Sequence, residues 1–328
     1  MCKKYFLAVL FAVYLPAMLN AEIKEEKSER AYLNVFQESY PLKIKTEAGM
    51  FLGYDSNVLL NTERKGDIFQ KTYWFVNINK KIRKNWGVNL SYYGDYWNYS
   101  EFNDASSMAN NIRLEAYRYL GKIKLGCGYD FTYMYYPFNS EGDFFFHKGF
   151  VYFKYSLSRN LYNKLSLGYG LKNFISAKAL SDTYSTYQSK NRLDRRVFCR
   201  NEIGVYLKDK ALLRFIAGFR KNNSNSRFED YYDYDAYTAG IRLDVKITPK
   251  IVSFADLFFT RKNYNSRTTI ASSSVEKDNL YSIRAGLIYK ISPESKLEIS
   301  YTYNNNSSND SWQEYTENII SCGLVYNF

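Results

Sequence analysis

The feature that most constrains this chain is a period of two in its apolar residues, which recurs from residue 42 to the end of the sequence. In residues 42–54 the even positions are almost all apolar, and the odd positions are mostly charged or glycine. The even positions are Leu42, Ile44, Thr46, Ala48, Met50, Leu52 and Tyr54. Strict alternation over segments of about ten residues is typical of transmembrane β-barrel strands, whose apolar side chains meet lipid and whose polar side chains meet the lumen.

Counting such segments predicts an all-β fold, a transmembrane antiparallel up-and-down β-barrel of fourteen strands. An even number is expected of a bacterial barrel made from one chain. Segment 251–262, "IVSFADLFFTRK", leaves twelve or sixteen strands open, because Asp256 shares a face with Phe254 and Phe258. The predicted strands are 42–54, 68–79, 86–97, 111–120, 122–135, 145–157, 163–173, 194–207, 211–221, 232–247, 251–262, 278–291, 295–304 and 314–328.

The connections between these segments alternate between tight turns and longer polar stretches. Tight turns lie near residues 82, 121, 160, 209, 249 and 293, and the longest connection runs from about 174 to 193. Short periplasmic turns and long extracellular loops are typical of outer-membrane barrels, so both termini are predicted to lie in the periplasm. The 174–193 connection is long enough to fold inward as a constriction.

A large soluble β-sandwich or solenoid is the main alternative fold. Its strands would also alternate, but they average about five to six residues. Its apolar face would form a core, with no need for a second face rich in Lys and Arg. The longer segments seen here favour the barrel.

The first residues of the chain predict export. Lys3 and Lys4 precede an apolar run and a short polar break, which indicates a signal peptide over residues 1–21. An uncleaved membrane anchor is the rival interpretation, although the run is shorter than the roughly 20 residues that span a bilayer. Residues 22–41 are then an N-terminal periplasmic or lumen segment, and residues 42–328 are the barrel.

The inward positions predict a basic lumen. The chain carries 45 Lys and Arg against 33 Asp and Glu, and most of the excess falls on the inward parity. A lumen lined by one sign of charge favours ions of the opposite sign. The candidates for binding an anion are Lys71, Arg113, Lys148, Lys154, Lys172, Arg196, Arg200, Arg214, Arg220, Arg242 and Arg284. Half of the basic residues are expected to pair with acids. The inward parity also contains aromatic rings with a packing or sugar-stacking role, which are Tyr93, Tyr117, Phe150, Tyr152 and Tyr206.

No residue pattern predicts catalysis, a cofactor or a metal site. His147 is the only histidine, lies on the predicted lipid face, and has no Ser or carboxylate beside it. The three cysteines of the mature chain, Cys127, Cys199 and Cys322, are too few and too scattered for a disulfide framework or a zinc site. A nucleic-acid role is opposed by the signal peptide and the barrel pattern.

The short motif "GYDSNV" at Gly53–Val58, the Tyr-rich hairpins that follow it and the terminal aromatic resemble the Putative beta-barrel porin 2 family and related outer-membrane barrels of exopolysaccharide export loci. The chain also resembles the barrel portion of surface lipoprotein assembly modifiers, although residues 22–41 leave no room for the helical repeats that usually precede that barrel. The first resemblance implies passage of solute or polysaccharide across the outer membrane. It carries over no catalytic residue.

The sequence therefore predicts an outer-membrane channel that passes anionic solutes or an acidic polysaccharide. The alternative is a non-conducting surface interaction or structural barrel that acts through its extracellular loops. Leu324, Tyr326 and Phe328 lie at alternating positions and resemble the signal read by the barrel insertion machinery. The expected partners are outer-membrane lipid, lipopolysaccharide, that machinery and an anionic glycan, and the expected state is a monomer.

Overall fold

The computed structural model describes residues 42–183, 186–208, 210–269 and 273–328. Their strands form one closed antiparallel barrel in which each strand pairs with its neighbours in sequence and the last pairs with the first. The predicted signal peptide and the predicted 22–41 segment lie outside the described residues.

The barrel contains fourteen strands within these ranges, so the predicted fold class is confirmed and the alternatives of twelve and sixteen strands are wrong. The strands are β1 Leu42–Asp55, β2 Asp67–Arg83, β3 Trp86–Tyr99, β4 Ser107–Leu120, β5 Ile123–Tyr135, β6 Phe144–Ser156, β7 Leu161–Leu180, β8 Tyr187–Leu207, β9 Ala211–Ser224, β10 Tyr234–Lys246, β11 Ile251–Thr268, β12 Val275–Lys290, β13 Ser295–Ser308 and β14 Tyr315–Asn327. Single 3₁₀ turns lie at Asn103–Ala105, Ser140–Gly142, Phe228–Asp230 and Ser311–Gln313.

The period-two pattern separates the two faces of the barrel wall. Large apolar side chains of one parity are exposed on the outside, among them Met50, Leu52 and Ile320. Polar and charged side chains of the other parity are buried inside, such as Glu47, Arg214 and Asp256. Strand β11 keeps one parity past its doubtful point, because Phe254, Asp256 and Phe258 all face inward. A lumen accepts aromatic and charged residues side by side, whereas lipid would not accept Asp256.

All the shorter connections lie at one end of the barrel, as an up-and-down topology requires. They are 84–85, 121–122, 157–160, 208–210, 247–250 and 291–294. The two-residue connection from β4 to β5 places Gly121 at a φ of 61°, where a residue without a side chain avoids strain. The end with longer connections differs from the prediction at two places: β11 extends to Thr268 and β12 begins at Val275, and the β7–β8 hairpin is longer than expected. Instead of a connection over 174–193, β7 extends to Leu180 and β8 begins at Tyr187.

The motif "GYDSNV" lies at the seam where β1 meets β14. Ser56 exchanges hydrogen bonds with Asn318, since its N–H donates to the Asn318 carbonyl (2.9 Å) and its Oγ accepts from the Asn318 N–H (2.8 Å). The side chain of Asn57, which is fully buried, donates to the carbonyls of Asn61 (2.8 Å) and Thr316 (3.0 Å). The motif thus ties the first loop to the last strand. It therefore helps to close the barrel.

Replacing Asn57 with Ala should lower the free energy of unfolding by about 2 kcal/mol, because it leaves buried carbonyls without their donor. Urea unfolding in detergent micelles, followed by far-UV circular dichroism, measures the loss. Asn103→Ala is the control, since Asn103 is exposed in the next loop. Equal stability of the two variants would contradict the role assigned to the seam.

Candidate functional site: the barrel lumen

The lumen is built from the inward side chains, and all eleven predicted anion-binding candidates lie on this face. Most of them meet an acid. Lys71 lies 3.8 Å from Asp95, Arg200 lies 3.2 Å from Glu202, and Arg214 pairs with Asp244. The pairing supports the expectation that many of the basic residues satisfy a polar interior, and their role in anion binding stays a prediction.

Two of the candidates share one carboxylate. Arg242 and Arg284 bind Asp256 from either side, at 2.8 and 2.9 Å. Arg113 and Lys148 likewise flank Asp130, at 3.7 and 3.8 Å, while Glu115 lies between Arg113 (3.8 Å) and Lys124 (3.2 Å), which makes three cations on two acids. A shared acid leaves each such group with a net positive charge. Ladders of this kind therefore reduce the charge of the lumen without cancelling it.

Aromatic rings form a second layer beneath the cations. The ring of Tyr162 occupies the space that a Cβ on Gly204 would need, and the ring of Phe150 does the same over Gly128. These rings therefore lie flat on the wall instead of projecting across the lumen. Cations then lie over them, with the Lys154 ammonium 3.9 Å from the centroid of Tyr162 and the Arg113 guanidinium 4.3 Å from that of Phe150.

This layering decides which of the predicted stacking rings can meet a solute. Tyr117 and Tyr152 are both covered by the Lys124 ammonium, at 4.2 and 5.2 Å, and Phe150 is covered by Arg113. Tyr206 packs against Tyr162, with 5.8 Å between centroids. These four rings have a packing role, whereas Tyr93 lines a lumen cavity.

A cation-rich cluster lies on the inward faces of β7 and β8, near the end of the barrel with the longer connections. Asp194 accepts two hydrogen bonds from the Arg192 guanidinium (2.9 and 2.7 Å) and lies 3.5 Å from Arg196. Arg196 also donates to Asn222 (2.7 Å), and the Lys172 ammonium lies 3.9 Å from the ring of Phe144. The five polar residues of this group are all buried, Asp194 and Asn222 completely. Lys172, Arg192 and Arg196 gather around Asp194, so the cluster presents more positive than negative charge.

The loop beside this cluster adds one acid at the mouth of the lumen. The carboxylate of Asp233, which precedes β10, accepts a hydrogen bond from the Ser224 N–H (2.6 Å). Burial raises the pKa of the Asp233 carboxyl to about 6, and the nearby charge of Asp230 adds to the rise. Asp233 is therefore protonated in weakly acidic solution, where the mouth becomes more positive.

Charge is unevenly distributed around the barrel. We call the inward face of β4–β10 the cationic wall, because its buried and half-buried cations outnumber its acids. The cations are Arg113, Lys124, Lys148, Lys154, Lys164, Lys172, Arg192, Arg196, Arg200, Arg214, Arg220 and Arg242, and the acids are Glu115, Asp130, Asp194, Glu202 and Asp244.

The inward face of the remaining strands, β11–β14 and β1–β3, forms the acidic wall. Among the residues that the structure describes, acids outnumber cations on this face. Its acids are Glu47, Asp55, Asp67, Asp95, Asp256, Glu276, Asp278, Glu298 and Glu317, and its cations are Lys45, Lys71, Lys81, Lys262, Arg267, Arg284 and Lys296. The lumen is therefore not uniformly basic, which the inward parity alone did not indicate.

Sequence reasoning missed several inward charges. Arg192 and Asp194 lie in or next to the stretch predicted as a loop, and Asp95, Glu276 and Asp278 lie near strand ends. Arg267 lies within the irregular stretch of β11, between Asn263 and Thr268, where the register shifts. An extended count of parity past the predicted strand ends would have found Arg192, since it shares the face of Asp194 and Arg196. The register shift at Arg267 left no signal in the sequence.

His147 faces outward, as predicted. Its Nδ1 lies 2.5 Å from the hydroxyl of Tyr129, and its ring packs against Phe131 with 5.1 Å between centroids. Leu324, Tyr326 and Phe328 also face outward, with 58%, 47% and 79% of their surfaces exposed. Their reading by the insertion machinery stays a prediction.

Three further observations concern residues within the described ranges. The thiols of Cys127, Cys199 and Cys322 are free. No group of three or more His, Cys, Asp or Glu is placed there to hold a metal ion. No helix in this part of the chain is long and apolar enough to cross a membrane.

The barrel is similar in fold to solved structures of outer-membrane proteins. The trimer form of in-vitro folded OmpT, an outer membrane protein of Vibrio cholerae, is 10% identical, with 88% of this chain and 100% of that chain covered and a TM-score of 0.53. Outer-membrane expressed OmpT of Vibrio cholerae is 9% identical, with 90% and 100% covered and a TM-score of 0.53. The TodX monoaromatic hydrocarbon channel deltaS2 mutant is 8% identical, with 88% and 90% covered and a TM-score of 0.50. At these identities the likeness establishes the fold alone.

The chain therefore has the porin-like β-barrel fold of these outer-membrane proteins. Residues 234–328, which span β10 to β14, match the family model described as Putative beta-barrel porin 2. The match confirms the resemblance to this family that the sequence indicated, in a part of the chain separate from "GYDSNV". No curated protein sequence matches the chain.

Proposed function

We propose that this barrel is a channel that passes anionic solutes, including acidic polysaccharide, across the outer membrane. The observation that carries the proposal is the cationic wall, where inward Arg and Lys outnumber inward acids over strands β4–β10 taken together. A concentration of one charge on low-dielectric walls raises the local concentration of ions of the opposite sign. In this proposal both termini lie in the periplasm. The protein acts as a passive channel and not as an enzyme, and it uses no cofactor.

Ion selectivity tests this proposal directly. In planar bilayers with a salt gradient, the reversal potential should show that chloride is more permeant than potassium. The double variant Arg200→Gln and Arg220→Gln should shift the reversal potential towards cation preference, because both side chains belong to the cationic wall. Arg195→Gln is a matched control, since Arg195 precedes Arg196 in β8 and is exposed on the outside. A cation-selective wild-type pore, or no current at all, would refute the proposal.

A surface interaction role is the second candidate, and the extended β7–β8 hairpin favours it. The hairpin presents exposed Tyr187 and Ile175, and its strands continue past the neighbouring ones. It is fixed in place, since Leu180 accepts a hydrogen bond from the Arg227 N–H (3.0 Å) and donates one to Ser226 (3.1 Å). Shortening the hairpin should abolish binding to a surface partner and leave conductance unchanged if this second role is correct.

A further inference from the structure

A cavity of about 140 Å³ opens on the acidic wall between β1–β3 and β11–β14. By the same measure one water needs roughly 10–15 Å³, so the cavity has room for on the order of ten waters or one small polar ring. It lies apart from the Lys172, Arg192 and Arg196 cluster. Its two sides differ in chemistry.

One side of the cavity is aromatic. Its rings are Phe51, Phe69, Tyr73, Phe75, Tyr93 and Trp97. Tyr73 stacks on Tyr93 at an interplanar angle of 24° with 6.0 Å between centroids, and Phe51 follows Tyr73 at 5.9 Å. These rings continue from strand to strand as a shallow platform. Flat amphipathic rings of this kind suit a ligand that has both an apolar face and polar edges.

The rings of this platform lie flat on the wall, like those of the cationic wall. The rings of Tyr73 and Phe51 occupy the space that a Cβ on Gly49 and on Gly323 would need. They differ from Phe150, whose other face is covered by Arg113. Within the described ranges no cation lies over Phe51 or Tyr73, so the outer faces of these two rings meet the cavity.

The other side of the cavity offers short neutral hydrogen-bonding groups. Ser282, Ser300, Thr302, Asn304 and Ser321 line it, and the hydroxyls of Ser300 and Ser321 are 2.9 Å apart. Hydroxyl and amide groups both donate and accept, as the hydroxyls of a sugar do. The charged residues around the cavity are balanced in sign, since Lys45, Lys71 and Arg284 face Glu47, Asp256 and Glu298. The local field therefore favours no ion.

From this combination we infer that the cavity is a binding subsite for a pyranose ring. The apolar face of the sugar lies on Phe51 and Tyr73, and its hydroxyls meet the Ser, Thr and Asn side chains opposite. A pocket with an apolar platform and a few orienting polar groups is the usual form of a small-molecule site. The inference rests on the proposed function to the extent that a solute must enter the lumen, and it assigns the recognised unit to the sugar ring and not to its charge.

Tryptophan fluorescence tests the subsite without requiring conduction. Of the four Trp residues, Trp97 lines the cavity, and its ring packs against Phe69 at 4.9 Å. A reporter protein with Trp74→Phe, Trp86→Phe and Trp312→Phe leaves Trp97 as the sole signal. In detergent micelles, neutral maltohexaose and acidic hexagalacturonate should both change its emission, and sorbitol, which has no ring, should not.

Phe51→Leu in the reporter protein should weaken maltohexaose binding about tenfold, which corresponds to the loss of one stacking contact. Phe150→Leu is the matched control, because Phe150 also lies flat on a glycine but is covered by Arg113. The affinity of this variant for maltohexaose should be unchanged. Heat-dependent mobility in gels establishes that each variant is folded. Tyr73→Leu replaces Phe51→Leu if the latter does not fold. Acrylamide quenching of Trp97 in the reporter protein, with Phe51 and Tyr73 intact, is a second measurement, because bound sugar should protect Trp97 from the quencher.

The outcomes separate this inference from the channel proposal. If neither oligosaccharide affects Trp97, or if Phe150→Leu weakens binding as much as Phe51→Leu, the subsite is refuted, whatever the reversal potential shows. If the sugar binds at Phe51 while the bilayer shows no anion preference, the channel proposal fails and the subsite stands. Binding of hexagalacturonate alone would also refute the subsite, because it would indicate recognition of charge.

Discussion

Replacing Asp194 with Asn should lower the free energy of unfolding by about 3–5 kcal/mol, the usual cost of removing one partner from a buried ion pair. Asp194 is completely buried and holds Arg192 and Arg196 together. Asn keeps the shape of the side chain but not its charge, so the two guanidinium groups and the Lys172 ammonium would remain close together without their shared carboxylate. Guanidinium unfolding in detergent micelles measures the change.

An exposed ion pair supplies the control for this prediction. The Lys65 ammonium lies 2.8 Å from Glu63, and both side chains are about half exposed. Lys65→Ala should therefore leave the unfolding curve where it is, since water replaces an exposed partner. An Asp194→Asn protein as stable as the Lys65→Ala protein would show that the cluster does not depend on its carboxylate.

Replacing Gly204 with Ala should destabilise the barrel by about 3 kcal/mol. The added methyl group overlaps the ring of Tyr162, which is 3% exposed and cannot move outward without losing its contacts. Displacement of the ring breaks the hydrogen bond from its hydroxyl to Glu202 (2.7 Å) and separates it from Lys154. Urea unfolding and heat-dependent gel mobility both report the loss.

Two further variants establish the cause of that loss. Gly149→Ala should be nearly neutral, because nothing lies within 4 Å of a Cβ at that position. Adding Tyr162→Leu to Gly204→Ala should cost less than the sum of the two single changes, since the smaller side chain removes the overlap. Additive costs, or a Gly149→Ala protein as unstable as Gly204→Ala, would contradict the packing of Tyr162 on Gly204.

The strands were predictable because lipid on one side and water on the other require a period of two at every step. This is why the segment that begins at Leu42 and the one that ends at Phe328 were both found, and why they pair. The β7–β8 hairpin was missed at its far end because lipid no longer dictates alternation there. Hydrogen bonds still continue the ladder from Lys178 to Asn191 after a shift of register.

The candidate site was predictable in its residue types and not in its arrangement. Parity places Arg242 and Arg284 inside the barrel, but only the strand register brings both to Asp256. Likewise, the sequence shows Gly204 and Tyr162 on inward faces, and the pairing of β7 with β8 puts one on the other. Which wall carries which charge depends on the order of strands around the barrel, a property of the closed structure.

Because a cationic wall faces an acidic wall, the charge of the lumen affects how a solute is oriented as well as whether it enters. Two walls of unlike charge produce a field across the passage, perpendicular to the direction of travel. A molecule with a positive and a negative end is turned by that field, with its negative end towards β4–β10. Isomers of equal size and equal net charge would then cross at different rates, according to how far apart their charged ends lie.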